Sequence, residues 1–304
     1  MRFHFPASSQ LVVLALMVAI GCGGGTSAEL SIPDSPDGTV EVLVNGLVQH
    51  HPEIVWRALP PSYQQDVADL TREFADTVDP AVFDRAVAVA RKGVVVLQSK
   101  KELILGSKAL EQSQVDAETA DIFWEIAVHM LDALLASDVA DLSTLRELDV
   151  EAFLATTGSD LMDHASKLPA ENEDMESFAQ RVAALEQANV NLESEDGDHA
   201  VVLLEVPDQD PTELQLIRVE DRWIPAELAA QWPQAVAEAR AKIGLLNGEE
   251  AAQTRVQLLF GIGIVEGFID QIDRMETSDE IDDLIGGVLG NIMATQGGQM
   301  VTEG

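Results

Sequence analysis

Most hydrophobic positions in the chain recur with the period of an α-helix, and one stretch breaks that rhythm. Val42, Leu43 and Leu47, followed by Ile54, Val55 and Trp56, predict a helix over about 39–49 and a short one ending at Leu59. Pro52 separates the two, and Pro60-Pro61 marks the break after them. Tyr63, Val67, Leu70 and Phe74 then fall at intervals of four, three and four, one stripe of a further helix. Asp79-Pro80 is a start signal, with aspartate placed to cap and proline at the first helical position. The helix it opens runs through Phe83, Val87 and Val94 toward Ser99, with another expected over about 101–112. Taken alone, Val94-Val95-Val96-Leu97 has the composition of a strand. Phe123, Ala127, Met130 and Leu134 repeat the same intervals in a helix over 117–137. Residues 142–168 read as two short helices broken near Thr157-Gly158, and 175–188 as one more amphipathic helix. No solenoid-length repeat connects these helices.

After Ala188 the period shortens. Val190 to Glu193, Ala200 to Val206 and Thr212 to Val219 read as strands, with an Asp196-Gly197 turn between the first two and Pro207 to Pro211 as the second turn. Asp221 to Pro225 is expected to end this ladder. Helix returns over 226–245 through Leu228, Trp232 and Val236, with a break or restart at Pro233. A last long helix follows Asn247-Gly248-Glu249, with Leu258, Ile262, Val265, Ile269 and Ile272 as its buried stripe and Glu266, Asp270 and Asp273 facing out. The expected fold is mainly α with a small antiparallel β-sheet (α+β). Its helical region covers 38–188, a three-stranded meander 189–225, C-terminal helices 226–295 and a frayed tail 296–304.

The N-terminus has a different character. A run of about ten apolar residues, Leu11 to Gly21, leads into Cys22-Gly23-Gly24-Gly25, which is the length of a signal-peptide core. Spanning a bilayer takes roughly 20 apolar residues, and Ser8, Ser9 and Gln10 would then lie in hydrocarbon. Ala19-Ile20-Gly21-Cys22 is similar to the lipobox of bacterial lipoproteins. That resemblance implies cleavage before Cys22, a diacylglyceryl group on its sulfur and a fatty chain such as palmitate on the new amine. Two or three chains anchor far more firmly than one. The competing reading is an ordinary secretory signal cut at Thr26-Ser27-Ala28, which leaves Cys22 a stray thiol. One cysteine cannot close an internal disulfide, so an exported chain that carries one needs another use for it. Residues 1–21 are accordingly read as signal peptide and 22–37, rich in Gly, Ser and Pro, as a flexible tether. The resemblance implies an exported protein held to membrane by lipid. Glycine rather than aspartate after Cys22 implies the outer membrane, facing the periplasm.

Charge narrows the partners. Fifty-three acidic residues against 18 Lys and Arg give a formal charge of −35, which excludes nucleic acid, whose phosphates demand cations. It also sets the body against anionic lipid surfaces. The acids are dispersed through every segment and 46 % of residues are apolar, so the charge reads as a solvated surface on a folded body, with a cationic partner or ligand, or loosely bound divalent ions, as the alternative.

Candidate chemistry is sparse. Gly261, Gly263 and Gly267 miss the dinucleotide fingerprint by one residue and fit close helix–helix contact, as do Gly286 and Gly290. His50-His51 ends a helix beside Pro52, while His129, His164 and His199 are scattered, and His129 reads as a packed, hydrogen-bonded histidine. Glu193 to Asp198 fails the EF-hand spacing, with Leu203 where the glutamate belongs, and reads as a solvated turn. Asp279 to Asp283 reads as an exposed helix start. No catalytic, cofactor-binding or metal-ligating set emerges, and Cys22 is the single candidate site, for lipidation.

The strand–turn–strand stretch that ends in Trp223 resembles the sheet of NTF2-like (cystatin-like) domains. Trp56 with Leu59-Pro60-Pro61-Ser62-Tyr63 resembles acidic lipoproteins of planctomycete-type bacteria, a likeness that implies no activity. The expected role is a non-enzymatic, membrane-anchored envelope lipoprotein that binds a protein or small ligand, with no cofactor. The alternatives are a carboxylate-based envelope hydrolase or a divalent-cation binder. The hydrolase would gather Trp56, Trp124, Trp223 and Trp232 in one open cleft beside paired acids.

Overall fold

In the computed structural model, which describes residues 31–108, 116–168, 178–247 and 251–284, the first helix begins at a serine cap. Ser35 accepts a hydrogen bond from the Gly38 N–H, and Pro36 stands where a missing N–H is harmless. This helix, α1 (Pro36–Val48), is followed by α2 (Glu53–Ala58), α3 (Pro61–Thr77) and α4 (Pro80–Leu105). Asp79 caps α4 as its sequence predicts, since its Oδ1 accepts from the N–H groups of Ala81 and Val82. Next come α5 (Ala117–Ala136), α6 (Leu142–Leu145) and α7 (Val150–Phe153). A π-helical turn (Leu154–Gly158), α8 (Ser159–Ala165) and α9 (Phe178–Leu185) complete the run before the sheet. Strands β1 (Asn189–Asp196), β2 (His199–Glu205), β3 (Thr212–Val219) and β4 (Arg222–Pro225) lead into α10 (Ala226–Gly244) and α11 (Ala251–Arg274). The fold is mostly helical with one antiparallel sheet, α+β.

The chain divides into two compact units. The first comprises residues up to Phe83 with Ala133–Arg255, and the second Asp84–Asp132 with Val256 onward, so the boundaries fall inside α4, α5 and α11.

In the first unit the sheet has strand order β1-β2-β3-β4, one strand more than the three expected. Residues 222–225 continue the ladder instead of ending it: Ile217 pairs with Ile224 and Arg218 with Trp223. The turn joining β3 and β4 places both Glu220 and Asp221 at positive φ, 49° and 62°, the geometry that matches the twist of a two-residue hairpin. Strand alternation puts Ala200, Val202, Leu216 and Trp223 on one face, where they close over Val40 and Val44 of α1. Trp223 is 2 % exposed, and its Nε1–H donates to the Asp34 carbonyl over 2.8 Å. A second apolar cluster joins Ala75 of α3 to Leu142 and Leu145 of α6.

Two helices are longer than the sequence suggests. Residues 94–97 form no strand; they continue α4, because Val89 and Val96, seven apart and both buried, share its inward face. No break precedes Lys101, and 109–115 lie outside the described residues. Pro233 does not break α10 either. Its ring sits on an exposed position, so the carbonyl it leaves unpaired can turn to water. The neighbouring Trp232 fixes that stretch by stacking on Tyr63 with ring centroids 4.2 Å apart and by donating to Asp66 over 3.0 Å.

In the second unit, residues 278–284 form helical turns opened by a capping box. The Glu280 carboxylate accepts from the N–H groups of Glu276 and Thr277, and these bonds hold it below the usual glutamate range. The start expected at Asp279 is therefore present, but Ile281 is buried and Asp282 pairs with Lys108 rather than facing solvent.

Candidate functional site

Two places stand out, one in each unit. In the first unit, α1 ends in a Schellman motif: the His51 N–H donates to the Gly46 carbonyl over 2.7 Å and the His50 N–H to Leu47 over 3.1 Å. The motif needs a left-handed residue, usually glycine, and here His50 fills it at φ 58°. Its Nδ1 lies 3.7 Å from Asp163 on α8, and its carbonyl accepts from the buried Ser159 hydroxyl. The Lys167 ammonium, foremost, with the nearby His50 and His164 rings holds the Asp163 carboxyl below the usual aspartate range. The π-helical turn 154–158 immediately precedes Ser159, and such turns concentrate at functional sites.

Beside His50, His51 and Glu53 form a dyad. His51 Nδ1 lies 3.1 Å from Glu53 Oε1, so Nε2 is the ring nitrogen left for another partner. Glu53 is 1 % exposed, and its second oxygen is buried with no hydrogen-bond partner. A buried carboxylate that orients an imidazole is the arrangement that tunes a general base or a metal-binding histidine. The helix cap accounts for the left-handed backbone at His50, though not for a histidine in place of the usual glycine, and nothing in the fold accounts for the orphaned Glu53 oxygen. His50→Gly is expected to raise stability by about 0.5–1 kcal/mol, since glycine reaches this φ without strain and the half-exposed Asp163 contact is weak. A shift of the urea midpoint checks it; a drop in stability means the imidazole itself holds the junction.

In the second unit the last helix is turned only partly as expected: Ile262, Ile269 and Ile272 are half-buried and Asp273 is exposed, but the rest of the stripe differs. Among its described residues α11 buries no side chain, and Leu258 and Val265, assigned to the buried stripe, are exposed. Val256 (65 %), Phe260 (69 %) and Ile264 (58 %) stand outward at four-residue intervals, and Phe268 continues the line. Glu266 and Asp270, expected to face out, are half-buried and pair with Arg85 and Lys92 of α4. Gly93 of α4 admits Ile269, whose Cδ1 would stand 3.3 Å from any Cβ there. The signal for this orientation lies in the charges: Arg85 and Lys92, two turns apart on α4, match Glu266 and Asp270, one turn apart on α11. Gly261, Gly263 and Gly267 make no close helix contact either: a Cβ at each would meet nothing within 4 Å. Gly286 and Gly290 lie outside the described residues.

The remaining candidates resolve as follows. His129 is exposed on α5, not packed. Glu193, Glu195 and Asp196 are exposed on β1, and Gly197 turns the hairpin at φ 60°. Trp223 is spent in the core and Trp232 on Tyr63, whose hydroxyl is pushed above the usual phenol range by burial and then by Glu220 and Asp66. Trp223, sealed in the core, lines no open cleft. Cys22 lies outside the described residues. Among the described residues no helix is long and apolar enough to cross a membrane. No protein-family model, curated protein or solved structure matches the chain.

Proposed function

We propose that the chain is an exported, lipid-anchored envelope protein that works by binding, and that the outward face of α11 is its interaction surface. One observation carries the binding half. Of the eleven large apolar side chains exposed among the described residues, nine belong to the second unit, and six of these lie on α11. A contiguous exposed apolar face on a chain this acidic marks a surface built to be covered. The anchoring half draws on the sequence: the apolar run to Gly21, Cys22 and the glycines after it.

Cys22→Ser tests the anchor. Expressed with its leader, the native chain is expected to stay with membrane after a carbonate wash and to carry the mass of its acyl groups, and the variant to be released. A native chain with a bare thiol, or a variant still in the pellet, overturns this half. A second reading, carboxylate chemistry at His51 and Glu53, draws on the unpartnered Glu53 oxygen and meets its own test in the stability of Glu53 variants.

A further inference from the structure

Along α11 both charges are turned inward beside half-buried isoleucines while a line of uncharged apolar side chains faces outward, and that arrangement points to what covers the face. Between Val256 and Ile272 the helix carries two charges only, Glu266 and Asp270, and both are turned toward α4. Lys100 of α4 adds a third polar tie by donating to the Met275 carbonyl over 2.9 Å. The outward positions are Val256, Leu258, Phe260, Ile264, Val265 and Phe268, with open glycines between them. A protein partner ordinarily meets a polar rim and a set of directional hydrogen bonds. From 256 to 268 the outward side offers one hydrogen-bonding side chain, Gln257. Charges paired inward and an uncharged apolar surface outward is the organisation that a lipid solvent selects.

We propose that the second unit lays this face of α11 into the headgroup–acyl boundary of a zwitterionic bilayer, parallel to the surface. The proposal rests on reading the face as the interaction surface and names its occupant. Charge fixes the lipid class. Interfacial helices that choose anionic membranes carry Lys and Arg around the apolar face, whereas this chain has a formal charge of −35 and repels such lipids. The face is too short in apolar length to span, in keeping with the absence of a crossing helix among the described residues.

The test uses a chain that begins at Gly23, which keeps every described residue and removes both leader and anchor. It is expected to float with phosphatidylcholine vesicles. It should float less with vesicles that contain phosphatidylglycerol at low salt, the difference closing as salt screens the repulsion. Phe260→Ser with Ile264→Ser is expected to cut partitioning at least tenfold, and Leu192→Ser, an exposed apolar residue of the first unit, to leave it unchanged. Both substituted side chains are mostly exposed, so folding is checked by circular dichroism. As a second readout, Ile264→Cys labelled with bimane should shift to shorter wavelength on adding vesicles. The proposal fails if the parent does not float, or if the serine pair floats as well as the parent. It fails too if the parent is a dimer that the serine pair dissociates, though the interaction surface then survives with a second copy as occupant.

Discussion

Gly46→Ala is expected to lower the free energy of unfolding by about 1–3 kcal/mol and Ile54→Ala by about 2–5 kcal/mol, with the double variant falling short of their sum. The reason is contact between α1 and α2. Ile54 is 0 % exposed, and a Cβ on Gly46 would stand 2.5 Å from its Cγ2 and 3.1 Å from its Cβ. The β-branched side chain cannot swing clear, so the alanine forces the two helices apart. Shortening Ile54 leaves a void, and the new methyl at Gly46 enters the space that the lost atoms vacated. Urea titrations of the four proteins read the cycle through midpoints at a constant slope. Strict additivity would show that the helices separate elsewhere and that this contact does not set their approach. The contact matters beyond stability, because the same junction holds His50 left-handed and delivers His51 to Glu53.

How much of this was legible in the sequence depends on the range of each interaction. Asp79-Pro80, the Tyr63 stripe and the Asp196-Gly197 turn were readable because cap, stripe and turn are set by residues within one or two turns of each other. β4 escaped because its turn residues, Glu220 and Asp221, are not the glycine or asparagine that usually announces such a hairpin. Neighbours supply what local preference lacks: Glu220 accepts from the Ser62 N–H over 2.9 Å, at the start of α3, which ties the strained turn to the helix. Pro233 predicts a break because proline costs a helix a hydrogen bond, but Trp232 beside it gains a ring partner and a carboxylate from α3. For α11 the period holds, with Ile262, Ile269 and Ile272 half-buried and Asp273 exposed, but Leu258 and Val265 face out and Glu266 and Asp270 face α4. A helix with apolar residues on most of its circumference does not state which side is inward, and the ion pairs with α4 decide it. The histidine site shows the same limit. His50, His51 and Glu53 are neighbours in the chain, yet Ser159 and Asp163 stand more than a hundred residues from His50.

Glu53→Leu is expected to raise stability by about 1–3 kcal/mol, an unusual direction for a buried position. The side chain has one hydrogen-bonded oxygen and one that is buried without a partner, so folding removes it from water with incomplete return. Leucine keeps much of the volume and removes the orphan, and the half-buried His51 ring can turn its Nδ1 to solvent. His51→Ala in the native background works the other way, stranding both Glu53 oxygens at a loss of about 1–3 kcal/mol. In the Glu53→Leu background the same alanine should cost little, because nothing is left to strand. The signs separate two accounts of the dyad. A carboxyl that stabilises the fold through a buried water would make leucine destabilising, and the site would then be structural. A carboxyl kept against stability, next to a histidine kept in a glycine's conformation, is what a working site shows when selection has traded firmness for use. With both gains present, Glu53→Leu and His50→Gly should add, since one acts on burial and the other on backbone strain. A combined gain that falls short by more than about 0.5 kcal/mol would mean that the strain and the orphaned oxygen are one feature, relieved together.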